Sequence, residues 1–558
     1  MRRGAVKDYN SLTLNSKTLN KKQENIMKRN RLFLLATLLP VMAMQAQTSY
    51  EAAALLDADL SGTARYVGMG GAMSALGADM STMSTNPAGT ALYRSWDVAL
   101  SFGGNGVTQR TQSNAGGMRA VKGYGTLDNV GVVIANKHSN EGIVRFINFG
   151  FNYHNVKRFG GKMGMTSNLG GQFSQTEQME HQALENVGYV DYTYFDPESA
   201  NNFFDEANTQ RYFGDFNYGW LTLLGAYGEL IGMYAKEDEA GNVLVDERGE
   251  PWHMLTNEGC YTERVTGGID AYDFNISLNF ADAVYLGATL TRYSVDRLVE
   301  SSYTEIFADG DYTLDSFHRT TGSGYDLKFG LIVRPFSESS FRVGLSATTP
   351  AVYTLRDYNS AIIRSAFTSG DYWELDTYDQ AAYGDDYITD YTMTTPAKVN
   401  VSVGGTVGTS LALGAEYEYT DYGATKLYYS DGVENADMNA HTRENFNGQH
   451  TLRLGAEKTF GAFYPRLGYN YQTGGYKQDA FKAIPIASVQ TNTAYSNIRS
   501  TQNFTCGIGY RGNVFYADAA LLYSTQKADF YPFDTEGLQA TNLTRNLAKG
   551  MVTVGMRF

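Results

Sequence analysis

The chain has 558 residues, a net charge of −14, and 41 Tyr, 29 Phe, 59 Gly and only 10 Pro. The acidic balance argues against nucleic acid as a partner, and two cysteines are too few for a disulfide scaffold. Length alone would suggest several soluble domains. Abundant tyrosine and glycine with a mean hydropathy of −0.34 instead fit a transmembrane β-barrel, with its aromatic girdles and polar lumen.

Residues 1–26 are polar and Lys/Asn-rich, with no apolar period. A basic stretch from Met27 to Arg31, an apolar run at 32–44 and Gln45-Ala46-Gln47 then read as a secretory signal peptide over 27–46. Met27 is therefore the expected start, residues 1–26 are expected to be a translation-start artefact, and the mature chain is expected to begin near Gln47. No apolar run reaches the roughly 18 residues of a membrane-spanning helix. A secreted chain with barrel strands and no such helix belongs in a Gram-negative outer membrane.

Residues 50–60 carry Ala53, Leu56 and Leu60 at helical spacing. Residues 68–92 follow, GMGGAMSALGADMSTMSTNPAGTAL, small and nearly uncharged. Glycine weakens this stretch as a helix, and it does not alternate as a strand does. It suits a segment packed inside something else, so 47–95 is read as a plug, or hatch, and 96–558 as the barrel around it. Pro87 fixes its own φ and biases Asn86 away from the helical region. Asn86 can close a local turn through its side chain. Ala88 and Gly89 let that turn approach the wall.

Alternation begins at Trp96. Trp96, Val98, Leu100 and Phe102 share one face, opposite Asp97, Ala99, Ser101 and Gly103. Tyr272, Phe274, Ile276, Leu278 and Phe280 oppose Asp273, Asn275, Ser277 and Asn279. About fourteen such segments are counted, an even number as in bacterial barrels. They lie near 96–104, 128–137, 143–156, 264–280, 283–300, 313–334, 340–355, 392–407, 410–424, 446–459, 462–475, 500–511, 513–526 and 545–558. Short connections (137–142, 281–282, 336–340, 408–409, 460–461, 512) alternate with long ones (105–127, 157–263, 301–312, 356–391, 425–445, 476–499, 527–544). Short turns face the periplasm in such barrels, which puts both chain ends on that side. The last strand, MVTVGMRF, ends in Phe558, like the signal read by the barrel-assembly machinery.

The sequence carries no metalloprotease, phosphate-loop, nucleophile-elbow or paired-cysteine motif. The seven histidines are scattered, so no metal site, no cofactor and no enzyme activity are expected. Cys260 falls in an expected external loop and Cys506 mid-strand on an apolar face. Charges on expected lumen faces include Asp273, Asp326, Lys328, Glu416, Glu418, Arg453, Glu457, Arg466, Asp518 and Lys549. Lys328 and Arg453 are either receptors for a ligand carboxylate or partners of lumen acids. In loop 157–263, Trp220, Leu223, Leu224, Tyr227, Leu230, Ile231 and Tyr234 recur at helical spacing behind Phe213, Phe216 and Tyr218. They form either a cap on the barrel mouth or an external apolar groove that receives ligand. The acidic stretches 236–250 and 371–390 are either solvated surface or cation-bridged to lipopolysaccharide phosphates.

Gly70-Gly71-Ala72, Ala78-Asp79 and Asn86-Pro87-Ala88-Gly89, behind a signal peptide and ahead of a barrel pattern, resemble the hatch of the OmpP1/FadL/TodX family of outer-membrane transport proteins. Family members often carry two acidic residues where this chain has Asp79-Met80. The resemblance implies passive uptake of hydrophobic small molecules, long-chain fatty acids or aromatic hydrocarbons, with the hatch as gate and a sideways exit through the wall. Asn148, Gly150 and Asn152 on the third strand mark a candidate exit, since such residues weaken pairing. The competing readings are an outer-membrane adhesin or structural protein, an aqueous porin, and a receptor for a haem-type ligand.

Overall fold

A computed structural model describes residues 47–140, 142–186, 219–234, 250–380 and 384–558. The expected leader and Phe213, Phe216 and Tyr218 lie outside these residues. The first described residues lie inside the barrel, with helices α1 (Ser49–Ala54) and α2 (Ala64–Gly68) and two 3-10 turns, Met80–Ser84 and Pro87–Leu92. The chain then enters the wall. In order come β1 (Asp97–Gln112), β2 (Gly117–Lys137), β3 (Val144–Arg158) and β4 (Gly161–Phe173). Helices α3 (Gln175–Asn186) and α4 (Trp220–Tyr227) and the small hairpin β5 (Ile231–Tyr234) and β6 (Glu250–His253) follow. The wall resumes with β7 (Thr256–Phe280), β8 (Val284–Phe307), β9 (Gly310–Val333), β10 (Arg342–Thr348) and β11 (Val352–Phe367). A flap of β12 (Tyr372–Asp376) and α5 (Thr377–Gln380) leads to β13 (Tyr387–Thr394), β14 (Lys398–Val407), β15 (Leu411–Asp421) and β16 (Lys426–Tyr429). Helix α6 (Ala436–Asn445) precedes β17 (Gly448–Lys458), β18 (Phe463–Thr473), β19 (Tyr495–Arg511), β20 (Phe515–Tyr531) and β21 (Thr541–Arg557).

These strands make a closed antiparallel barrel of 14 staves. Closure is by β1 against β21, from Asp97↔Arg557 to Gln112↔Asn542. Four staves are broken into two pieces each: β3/β4, β10/β11, β13/β14 and β15/β16. Pro350 and Pro396 lie in two of the breaks, where the ladder lacks an N–H. All fourteen segments expected from alternation are present, and each lies on the stave expected of it.

The exposure pattern is inverted relative to a soluble protein. Phe274 is 53% exposed while its neighbour Asp273 is 0% exposed, and Val98, Leu100, Phe102, Ile276, Val552 and Val554 also face out. This outward apolar band matches a lipid-facing wall.

The staves run much further than the alternation suggested. Stretches 105–127 and 301–312, read as long loops, are continuous hairpins with turns at 113–116 and 308–309. Cys260, expected in a loop, sits in β7, and both cysteines are free. The reason is a change of pattern. Above the band the outward positions are polar (Lys162, Thr262, Arg264) and the inward ones apolar (Met163, Met165, Tyr261). Pairing continues, but the apolar-out signature does not. The helix expected at 50–60 is shorter, ending at Ala54.

Candidate functional site: the hatch, its seat and the seam beside it

Each hatch turn starts from a side-chain cap. Thr48, Thr63, Asp79 and Asn86 accept from the backbone N–H groups of Glu51, Tyr66, Ser81 and Ala88. The Asp79 carboxylate also accepts the Thr63 hydroxyl at 2.8 Å, tying two turns together. Asn86 Oδ1 accepts from Ala88 N at 3.1 Å, and its Nδ2 donates to the Leu331 carbonyl of β9 at 3.4 Å. Pro87 takes the first position of its turn, where a missing N–H costs nothing. Gly70 and Gly71 sit at φ +63° and +82°, a region that side-chain-bearing residues rarely adopt.

The hatch rests on bare backbone. A Cβ on Gly468 would lie 2.1 Å from Gly70 N, on Gly455 2.4 Å from Met69 O, and on Gly414 2.3 Å from Ala72 O. On the opposite wall, Cβ atoms on Gly287 and Gly330 would lie 2.3 Å from Pro87 C and 2.8 Å from Ala88 N. Within the hatch, a Cβ on Gly89 would strike Thr82, and the Gly89 carbonyl accepts from Ala78 N at 3.0 Å. Several of these wall glycines are direct cross-strand partners, Gly287↔Gly330, Gly414↔Gly455 and Gly455↔Gly468. They form a belt on which the expected hatch residues lie.

Charge reinforces the seat. Arg65 Nε and Nη2 donate to the Glu457 carboxylate at 3.0 and 2.9 Å, and its Nη1 donates to the Ala78 carbonyl at 2.9 Å. Glu457 accepts in turn from Arg466, which reaches Asp518 at 2.6 Å. Arg453 pairs with Glu416 at 2.5 Å and Glu418 at 3.2 Å. Lys328 pairs with Asp326 at 2.7 Å. One polar cavity between hatch and wall, of about 140 Å³, is lined by Asp59, Tyr66, His154, Lys328, Glu418 and Arg453 among others, and a second, of about 330 Å³, by Arg65, Ala78, Glu457 and Arg511 among others.

The third stave also grips the hatch. Lys157 donates to Asp57 at 2.7 Å and Asp59 at 2.9 Å, and Asp59 N donates to the Val156 carbonyl at 2.9 Å. Burial works against ionisation of Asp59, but Lys157 outweighs it and holds the carboxyl down at about 2. Asn148, Gly150 and Asn152 do not mark a break. They pair in register with both β2 and β7. Asn148 Nδ2 donates to the Thr90 and Tyr93 carbonyls at 2.8 and 3.1 Å, and Met83 fills the space a Cβ on Gly150 would take. These small residues receive the hatch.

The discontinuity lies higher. β2 pairs with β3 only from Asn129↔His154 to Lys137↔Phe146, and β4 pairs with β7 alone. From there upward the second and third staves share no backbone ladder. The tip of the β1–β2 hairpin leans over β4 and is fastened by side chains: Thr111 to the Gly164 carbonyl (2.6 Å) and Asn114 to the Asn168 carbonyl (2.7 Å). Tyr124 closes the lower part of this seam over Gly160, where a Cβ would lie 2.5 Å from its ring. Sequence reading missed Tyr124 and Gly160, because each lies in a stretch without clean alternation.

The upper lumen holds aromatic and aliphatic clusters with buried polar groups set among them, Glu305 accepting the Tyr303 hydroxyl at 2.8 Å. Tyr261, Tyr303, Phe530 and Phe533 pack together at ring separations of 5.1–6.3 Å. Trp220, Leu223 and Leu224 of α4 are buried, and Ile231 follows on β5. They pack with Met179, Phe307, Leu314, Ile363 and Ile484 in one cluster at the long-loop end, with Tyr227 at its edge.

No family of known sequences matches the chain, and no curated protein does. Among solved structures it is similar to a FadL homologue of Pseudomonas aeruginosa, at 10% identity, covering 90% of this chain and 99% of that one, TM-score 0.48. It is also similar to the toluene transporter TodX of Pseudomonas putida (10% identity, 90% and 99% covered, TM-score 0.44). A third is the toluene transporter TbuX of Ralstonia pickettii (14% identity, 90% and 99% covered, TM-score 0.42).

Proposed function

We propose that this chain is an outer-membrane channel of the OmpP1/FadL/TodX kind that passes hydrophobic small molecules passively. The observation that carries the reading is the unpaired seam between the second and third staves, placed between an aromatic cluster in the upper lumen and a hatch seated on the wall. In this reading an apolar solute entering from the long-loop side passes the aromatic cluster first. Below it lie polar cavities of about 140 and 330 Å³ bordered by ion-paired side chains. Desolvating those charges is costly, so the downhill route for such a solute is sideways into lipid. In this reading residues 27–46 are cleaved, Trp96 and Phe558 mark the periplasmic rim, and the hatch residues Gly70, Gly71, Ala72, Asp79, Asn86, Pro87, Ala88 and Gly89 are the gate. Residues Trp220, Leu223, Leu224, Tyr227 and Ile231 close the mouth above the ligand path.

The test is a lock on the seam. Tyr124→Cys with Gly160→Cys, in a background lacking Cys260 and Cys506, should be bridged across the gap by a short thiol-reactive crosslinker that reductant cleaves. Uptake of a hydrophobic fluorescent probe should fall at least about tenfold when crosslinked and recover on cleavage, while single-channel conductance stays low throughout. Unchanged uptake in the crosslinked barrel would remove the lateral route. Large conductance in the unmodified protein would favour an aqueous porin.

A further inference from the structure

We propose that the lipid-facing wall holds a phospholipid, with one acyl chain in a furrow running from β14 to β19 and its phosphate at Lys458. The proposal rests on the outer-membrane reading given above. The furrow has a volume of about 940 Å³. Its floor is bare backbone in register, Gly404↔Gly414, Gly414↔Gly455 and Gly455↔Gly468, with Thr505 opposite Gly468. Behind that floor lies the hatch. Outward side chains stand along both flanks. Val403, Leu454 and Phe504 line one side, Leu413 and Leu467 the other, and all five are exposed. Gly405, Ala415 and Ala456 occupy outward positions in the same two rows and are too small to fill the space between them.

The furrow slopes. At one end it meets the short turn 336–340, at Ser339 and Ser340, where the Ser340 hydroxyl donates to the Thr406 carbonyl at 3.0 Å and accepts from Thr406 N at 2.7 Å. At the other it reaches Phe504, well inside β19, which runs on to Arg511. It therefore rises from a hydroxyl-lined rim into the apolar band. From β14 to β19 it crosses four strand spacings, ~19 Å at about 4.8 Å each. That matches one acyl chain, since the chains of each leaflet fill half of a hydrocarbon core about 30 Å thick.

Lys458 selects an anionic head. It is the next outward residue after Ala456, in the row below the furrow, and it is joined through Leu411 to Val407, which lines the furrow. Its ammonium donates to Ser410 Oγ at 2.8 Å and lies 5.9 Å from the centre of the Phe460 ring, both at the short-turn end. Among the described residues no carboxylate pairs with it. Glu457 beside it faces inward and is taken by Arg65 and Arg466. Arg334 and Glu338, at the Ser339 end, bring one charge of each sign. A lysine ammonium binds phosphate by charge-assisted hydrogen bonds.

The experiment uses the full barrel in liposomes of phosphatidylethanolamine and phosphatidylglycerol, doped with phosphatidylglycerol carrying a photoactivatable group on one acyl chain. After irradiation, peptide mass spectrometry should find at least about fivefold more adducts on 403–415 and 454–469 than on 272–290 of the far wall, the worth of burying one or two more methylene groups. Ala415→Leu with Ala456→Leu, both facing lipid and away from the hatch, should abolish the excess in a barrel that stays heat-modifiable. Lys458→Gln should lower it about fivefold, the worth of one lysine near an anionic lipid surface. Even labelling round the wall overturns the proposal, as does an unchanged excess in the filled furrow. A photoactivatable long-chain alcohol that labels the furrow equally well, with Lys458→Gln making no difference, would make this a groove for any alkyl chain and overturns the phospholipid. Barrel-to-barrel adducts in place of lipid adducts would give the furrow to a second copy and overturn it too. Outer-membrane fractionation and probe uptake of the Ala415→Leu, Ala456→Leu variant, both expected unchanged, report on the channel reading separately.

Discussion

Gly468 has no room for even a methyl group, because its neighbour is the hatch backbone at Gly70. Gly468→Val should leave the outward ladder to β17 and β19 intact and lift the hatch, at a cost of about 1–3 kcal/mol for overpacking. The expected result is a heat-modifiable barrel with raised, noisy conductance, measured in planar bilayers. A second residue links the outer helix α6 to the start of the hatch. His441 Nδ1 lies 2.8 Å from Ser49 Oγ, with Phe481 edge-on at 5.0 Å. Burial pushes the imidazole down to about 4. The unfolded chain therefore takes up a proton near pH 6.5 while the folded one does not. The contribution is complete above pH 6.5, falls as pH drops from 6.5 towards 4, and levels off below. The total is up to about 3 kcal/mol. Thermal midpoints at pH 7 and 4.5 should differ in the parent, and the difference should shrink in His441→Gln.

At the scale of elements, α4 is short and packed on nearly every side. Trp220→Ser with Leu224→Ser should cost about 3–5 kcal/mol per site in the cap. Limited proteolysis should then cut near α3 and α4 while the wall stays intact and heat-modifiable. Loss of the barrel itself would show that cap and wall fold as one unit. The helix was legible up to Tyr227. Beyond it, helical spacing at Leu230, Ile231 and Tyr234 misled, because Gly228 ends the helix and Ile231 opens β5. The staves were legible wherever lipid imposes an apolar outer face, as at Phe274 and Val554. They were not legible at Tyr261 or Thr304, where the outer face is polar and only the backbone ladder persists. The hatch was readable as a small-residue segment, but its seat was not. Gly414, Gly455 and Gly468 each look like ordinary interruptions of a strand, and only cross-strand register makes them a belt.

For the molecule as a whole, wall and plug answer to different forces. The wall is held by ladders that close on themselves, so no edge remains at its lower rim. The plug is held by glycine clearance, by caps, and by the Arg65–Glu457 pair. Replacing Arg65 with Ala removes the bidentate contact and leaves Glu457 with Arg466 only. An expected loss of about 2–3 kcal/mol should fall on the plug, read as faster hydrogen exchange over 63–78 with unchanged exchange in β20 and β21.

The seat of the plug also sets an order of assembly. Ala64 N donates to Thr553 Oγ1 across 489 residues of sequence, and the belt glycines under Gly70 belong to β17 and β18. The hatch thus finds its partners only when strands far along the chain are in place. Contacts so remote in sequence form slowly. The small-residue segment must wait, unburied, until closure of β1 on β21 has built the surface it fits.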